Sequence, residues 1–214
     1  LSMRSLIMQG CREDSDDGRA LFIRKYALYG LRRLASADEN TVPMWRNGQG
    51  LILQGKLHNK DVEISSKNIY NRTLSYSIFL PHLRERNRFR FMLEKLTELN
   101  SHYIFIGSTE NSQKTNIKEN NIFSWLVSAI EQSGTPFIPE IEFVPGLDFD
   151  KFTNGLDITG KTLLKNKKEL KNIAIGPEGG WSKSELANFK SLIRLTDNSL
   201  RTETAAITAA SLML

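Results

Sequence analysis

The sequence is poor in the residues that make covalent or metal cross-links. Cys11 is the one cysteine among 214 residues, so an internal disulfide and a cysteine-held metal cluster are both excluded, and a lone thiol fits a reducing compartment. His58, His82 and His102 are scattered without ligand spacing, and no metal site is expected. Long apolar runs are also missing. Nothing approaches the roughly 20 residues needed to cross a bilayer, and the first residues lack the apolar stretch of a signal peptide. These absences predict a soluble, cytoplasmic protein with no membrane partner. Leu1 and Ser2 ahead of Met3 read as a cloning remnant, and the sequence stops inside an apolar, helix-like TAASLML, so residues beyond it are expected to be missing.

What is present is ordinary globular material. Hydrophobic residues make up 40% and charged residues 25%, enough apolar volume for a real core and too much for a disordered chain. The length exceeds the usual single-domain size of roughly 100–150 residues, which predicts two domains. A net charge of +5 and a pI near 9.3 tilt the expectation weakly toward a polyanionic partner.

The texture changes near Arg72. Before it, short alternating segments, Gly50–Leu57 and Asp61–Ile64, are separated by Asn47-Gly48 and Asn59-Lys60, a pattern of small antiparallel β structure. Arg4, Arg12, Arg19, Arg24, Lys25, Arg32, Arg33 and Arg46, relieved by the acidic stretch Glu13–Asp17, make this part basic. That surface reads either as RNA-facing or as simply solvated. After Arg72, strand and helix patterns alternate, as in a parallel α/β sheet. Leu74–Leu80 is strand-like. Phe89, Met92, Leu93, Leu96 and Leu99 repeat with a helical period up to Asn100, a residue that tolerates a left-handed cap. Tyr103–Ile106 is a buried strand, and Ile122, Trp125, Leu126, Ala129 and Ile130 mark a second helix closing near Ser133-Gly134. From Phe143 to Lys171 the signal weakens to the turn markers Pro145-Gly146, Asn154-Gly155 and Thr159-Gly160, with Thr162–Leu164 as a candidate strand. No internal repeat is visible.

Two segments carry chemistry. Asn172–Ile175 is a short apolar strand running into Gly176-Pro177-Glu178-Gly179-Gly180, then Trp181, then Ser182 and Glu185 at capping-box spacing. A helix is expected from Ser182 through Leu186, Phe189 and Leu192. A glycine-rich loop after a parallel strand lies where such sheets bind ligands, although a plain tight turn would look the same. Neither a Walker loop nor G-x-G-x-x-G is present, which disfavours phosphate cradling. The second segment, Leu200–Ile207, follows a strand-like Ile193–Leu195 and opens a final helix. There Thr202 is a candidate cap, and Glu203 suits the first turn. Arg201 is not explained this way, because a cation at the positive end of a helix dipole needs an anion nearby.

Taken together, IGPEGGWSxxE followed by LRTETAAI resembles the RsmE family of 16S ribosomal RNA uridine methyltransferases, of the SPOUT class. Weaker matches lie upstream at Glu94–Leu99, at Thr109-Glu110 and at Glu131–Gly134. The resemblance implies an α/β fold in which residues 73–214 form a SPOUT domain, a deep trefoil knot over a mainly parallel sheet. It implies that residues 1–72 form a small PUA-like β-barrel that helps hold RNA, with Arg4, Arg24, Arg32 and Arg33 as candidate contacts. It also implies S-adenosyl-L-methionine as methyl donor, a homodimer, and the small ribosomal subunit as partner. The sequence departs from the family pattern at Asn111 and Thr135, where arginines are usual, and at Thr196, near a usual glycine. Asn100 likewise replaces a helix-ending glycine.

On that resemblance, the donor is expected against the backbone and small side chains of Ile175, Gly176, Pro177, Gly179, Gly180, Leu195, Ser199, Leu200 and Thr202. Uridine N3 carries a proton on the pairing edge, so the base must be unpaired and the proton removed or the anion stabilised. Arg201 is the candidate for stabilising that charge or for holding the donor's carboxylate, and Glu178 and Glu203 are candidate bases. Two alternatives stand beside this reading: another SPOUT methyltransferase, acting for instance on transfer RNA, and a non-catalytic RNA-binding or assembly protein.

Overall fold

Residues 44–46, 48–58, 61–73, 75–112, 119–166 and 170–214 are described by the computed structural model. Cys11, Arg4, Arg24, Arg32, Arg33, Asn47 and Asn59-Lys60 lie outside them. The chain divides into two compact units between Arg72 and Thr73.

In the first unit, β1 (Met44–Arg46), β2 (Leu51–His58) and β3 (Asp61–Ile69) form an antiparallel sheet in the order β1-β2-β3. The alternating segments of the sequence are therefore antiparallel strands, as expected. β2 pairs with β3 from Leu51 opposite Ile69 to His58 opposite Asp61, with a bulge between Gln54 and Gly55. Such a bulge bends and twists the strand that carries it.

The second unit is a seven-stranded sheet whose neighbours all pair parallel, in the order β6-β5-β4-β9-β7-β10-β8. Its strands are β4 (Ser77–Pro81), β5 (Tyr103–Ser108), β6 (Glu140–Gly146), β7 (Asn154–Leu156), β8 (Thr162–Leu163), β9 (Asn172–Ala174) and β10 (Ser191–Arg194). The helices are α1 (Arg86–Glu98), α2 (Glu119–Ser133), α3 (Lys183–Asn188) and α4 (Thr202–Leu212). Central strands are apolar on both faces, with Ile78, Phe79, Leu80, Ile104, Ile106 and Ile173 all buried, because helices cover a parallel sheet on both sides. Asn100 takes φ +58 and its N–H donates to the Thr97 carbonyl, the left-handed cap expected there.

From β4 the sheet grows one way through β5 to β6. The chain then crosses back, and β9 lies on the other flank of β4. The stretch of weak pattern thus holds the end of the seven-residue β6 and the short strands β7 and β8, so Pro145-Gly146 and Asn154-Gly155, which read as turns in the sequence, lie in β6 and β7. β7 and β8 carry only three and two residues, too few for period-2 patterning to register.

Two local expectations are corrected. The helix that starts after Ser182 ends at Asn188 and does not reach Leu192. Phe189 is already extended, at φ −72 and ψ 134, and Leu192 belongs to β10. Phe189 turns inward to meet Trp181 edge-on at 4.9 Å, so core packing ends the helix that propensity would have continued. Thr202 does not cap α4. Arg201 occupies the cap position without a side-chain cap bond, while the Thr202 hydroxyl donates to the Gly176 carbonyl at 3.0 Å.

Candidate active site

The cleft of interest opens beyond the carboxyl ends of β7, β9 and β10, three neighbours in the sheet, where open α/β sheets place their ligands. It has a volume of about 230 Å³. Leu156, Asp157 and Ile158 supply one wall, Ile175–Glu178 with Gly180 and Trp181 the floor, and Leu195, Thr196 and Asn198–Leu200 with Thr202 and Ala205 the other wall. The floor loop and the far wall are joined by the bond from Thr202 to Gly176.

Trp181 shapes the floor. Its indole Nε1 donates to the Leu156 carbonyl at 2.9 Å, tying the loop after β9 to the end of β7. A Cβ on Gly176 would sit 3.1 Å from that Nε1, so glycine lets the indole close down. Gly180 adopts φ +72, a left-handed conformation natural to glycine, and its carbonyl accepts from the Asn111 side-chain amide at 3.0 Å. Asn111, which stands where the family pattern has arginine, thereby pins the loop. Ser182 and Glu185 complete the capping box in both directions. The second oxygen of Glu185 accepts from the Glu110 N–H at 3.0 Å, so the turn at 109–112 is also fastened to the start of α3.

Of the donor-site residues expected from sequence, Ile175, Gly176, Pro177, Gly180, Leu195, Ser199, Leu200 and Thr202 converge on the cleft, and Gly179 does not line it. Gly179 instead packs against Asn111, whose Cβ lies 3.1 Å from where a Cβ on Gly179 would stand. Glu178 lines the cleft; Arg201 and Glu203 do not. Arg201 is exposed, and its charge is the least of the influences that hold the Glu203 carboxyl down.

Arg88 belongs to no motif of the sequence and is missed there. Its Nε and Nη2 donate to the two oxygens of Glu203 at 2.9 and 2.6 Å, and its Nη1 donates to Glu178 Oε1. These bonds hold the Glu203 carboxyl below the usual carboxylate range, against burial, which acts upward. The Glu203 hydrogen bond likewise leads the causes that push the Arg88 guanidinium up. A signal was available. Arg88 is a cation in the first turn of α1, which has no acidic residue there, and the dipole argument raised for Arg201 applies to it equally. Leu156–Ile158 escape detection because the strand that leads into them, Asn154–Leu156, is only three residues long and its Asn154-Gly155 reads in the sequence as a turn. Among the described residues, no group of acidic, histidine and cysteine side chains could hold a metal, and no helix is long and apolar enough to cross a membrane.

Comparison with known proteins bears on this cleft. The family model described as RNA methyltransferase domain matches residues 72–214. No curated protein sequence matches the chain. Among solved structures, ribosomal RNA small subunit methyltransferase E from Neisseria gonorrhoeae, bound to S-adenosyl methionine, superposes with TM-score 0.71 at 21% identity, covering 89% of each chain. A predicted RNA methyltransferase from Thermotoga maritima superposes with TM-score 0.69 at 25% identity over 94% of each chain. A Legionella pneumophila protein assigned as a methyltransferase and solved with its cofactor gives 0.67 at 24% identity, covering 84% of this chain and 85% of its own. At 21% and 24% identity, the Neisseria and Legionella structures speak to the fold alone.

Proposed function

Because the chain belongs to the RNA methyltransferase domain family, we propose that it methylates N3 of a uridine in 16S ribosomal RNA, with S-adenosyl-L-methionine as donor. The cleft carries the donor part of this reading, since the loops 175–181 and 195–202 are brought together at the strand ends and joined by Thr202 and Gly176. The target base rests on the resemblance of the two motif segments. The lining suits the donor. Leu156, Ile158, Ile175, Leu195 and Leu200 offer apolar flanks for a flat purine. Residues 195–200 lie outside helix and strand, in a loop that the Asn198 N–H braces by donating to Thr196 Oγ1 at 3.0 Å. Asp157 and Glu178 add negative charge for a cation. When bound, the donor supplies a methyl group on a positively charged sulfur.

The chain's own residues do the rest. The floor loop and the far wall hold the donor and exclude water, and fixing the target base against them supplies much of the acceleration. Removing the N3 proton leaves negative charge on the uracil carbonyls. Arg201, an exposed side chain between the cleft residues Leu200 and Thr202, is the candidate for stabilising that charge. Of the two candidate bases, Glu203 has both oxygens engaged by Arg88 and Glu178 only one, so Glu178, which lines the cleft, is the carboxylate to take the N3 proton.

Further parts of this reading concern the whole chain. Residues 1–72 form a PUA-like barrel that holds RNA, which the antiparallel β1–β3 sheet supports. The trefoil knot runs through the second unit, supported by α4 packing on α1 and β4. The chain acts as a cytoplasmic homodimer on the small subunit, supported by Phe91 on α1 and Leu212 on α4, apolar side chains left 47% and 45% exposed.

The test is methyl transfer to isolated small subunits from a strain lacking the modification, with the product mapped by primer extension. One methylated uridine in 16S RNA is expected. Methylation of transfer RNA instead would favour another SPOUT activity, and failure to bind S-adenosylhomocysteine at high micromolar concentration would favour a non-catalytic RNA-binding or assembly role.

A further inference from the structure

Three segments distant in sequence meet at one guanidinium. Arg88 stands in the first turn of α1, Glu178 in the loop after β9 and Glu203 in the first turn of α4. Arg88 reaches Glu203 side-on through Nε and Nη2, and its remaining nitrogen, Nη1, reaches Glu178. A planar fork can do both at once; an ammonium, a point charge on a flexible stem, cannot reproduce that geometry.

The three side chains are not equivalent. Glu203 is nearly enclosed, with its side chain 10% exposed, while that of Glu178 is 40% exposed and lines the cleft. Glu203 is thus the anchor, Arg88 the intermediary and Glu178 the group presented to a ligand. Two carboxylates share one guanidinium, Arg201 adds its charge at the anchored Glu203, and Glu178 presents its carboxylate at the cleft. Asp157, across the cleft on the β7 wall, adds a second acidic side chain to the lining, although one of its oxygens already accepts from Thr159.

We infer that Arg88 is a positioning residue: anchored on Glu203, it sets the Glu178 carboxylate against the positively charged methionine half of the methyl donor. The role rests on the donor cleft proposed above and adds the part of the ligand that Glu178 recognises. The adenosine half, which is uncharged, is left to the apolar walls.

The test uses two ligands on the full chain, titrated calorimetrically. S-adenosylmethionine carries the positive methionine half, and methylthioadenosine keeps the adenosine and lacks the amino acid and the sulfonium. Glu178→Gln and Arg88→Lys are expected to weaken S-adenosylmethionine binding about tenfold and to leave methylthioadenosine binding within about twofold. A cycle combining Arg88→Lys with Glu178→Gln is expected to be strongly non-additive, because both remove one interaction. Melting temperatures measured alongside separate loss of fold from loss of recognition, and Glu178→Gln, a substitution at a side chain 40% exposed, is expected to melt within a few degrees of wild type. Equal losses for both ligands would make the cluster structural and overturn the inference, as would unchanged affinity for S-adenosylmethionine. A wild-type chain that binds neither ligand would overturn the donor cleft itself, and this role with it.

Discussion

Glu203 serves two electrostatic partners at once. In the first turn of α4 it suits the helix dipole, and that local reason accounts for its place in the sequence. Its bidentate partner, Arg88, stands 115 residues away, where no local rule reaches. Because Arg88 holds the folded-state pKa of Glu203 below its ordinary value of 4.5, the ionised form is favoured by folding. Its contribution to stability is therefore complete above about pH 4.5 and is lost as pH falls below that through the folded pKa. Thermal melts from about pH 7 to about pH 3 are expected to show this loss in the wild type and a shallower acid limb in Glu203→Gln. Parallel limbs would mean that the pair contributes nothing. Arg201 calls for a kinetic test. If it stabilises charge on the uracil, Arg201→Ala should lower the methyl-transfer rate about a hundredfold while leaving S-adenosylhomocysteine affinity unchanged. An unchanged rate would remove that role.

At the scale of elements, legibility follows length. α1, α2, β4 and β5 are visible in the sequence because each repeats its apolar pattern enough times to declare a period, and the capping box at Ser182 and Glu185 marks the start of α3 correctly. The ends and the short strands are not visible, for a physical reason. α3 stops at Asn188 because Phe189 is needed in the aromatic cluster with Trp181 and Phe149, a long-range demand that overrides local helical pattern. The same cluster fixes Gly155 on β7. A Cβ there would stand 2.6 Å from the Phe189 ring, and that ring is buried. Gly155→Ala is accordingly expected to cost about 1–3 kcal/mol by overpacking, read as a lower midpoint in urea with an unchanged slope. A cost below about 0.5 kcal/mol would mean that the ring yields freely. On the candidate site, the two motif segments account for most of the floor and one wall. The other wall, Leu156–Ile158, depends on tertiary placement, and of the Arg88 bridge only the cation in the first turn of α1 is legible, not its two partners.

The whole molecule divides its labour unevenly in charge. Residues 1–72 hold 12 of the 29 basic and 8 of the 24 acidic side chains, so they carry most of the net charge of +5. Residues 73–214 are close to neutral, yet they contain every residue that lines the cleft and a buried core running from Tyr76 to Ala210. If donor binding needs the cleft and RNA retention needs the charge, the two functions should part when the chain is cut at the unit boundary. A fragment of residues 73–214 is expected to bind S-adenosylhomocysteine within about threefold of the full chain. Its affinity for 16S RNA should be much weaker, and the dependence of that affinity on salt shallower, because each phosphate left without its cation takes roughly one unit from the slope of log affinity against log salt. Calorimetry on the fragment and filter binding at several salt concentrations measure the two quantities independently. A fragment that keeps the full salt slope would place the RNA-holding charge on the second unit, where Arg84, Arg86 and Arg90 at the start of α1 would be the first side chains to replace.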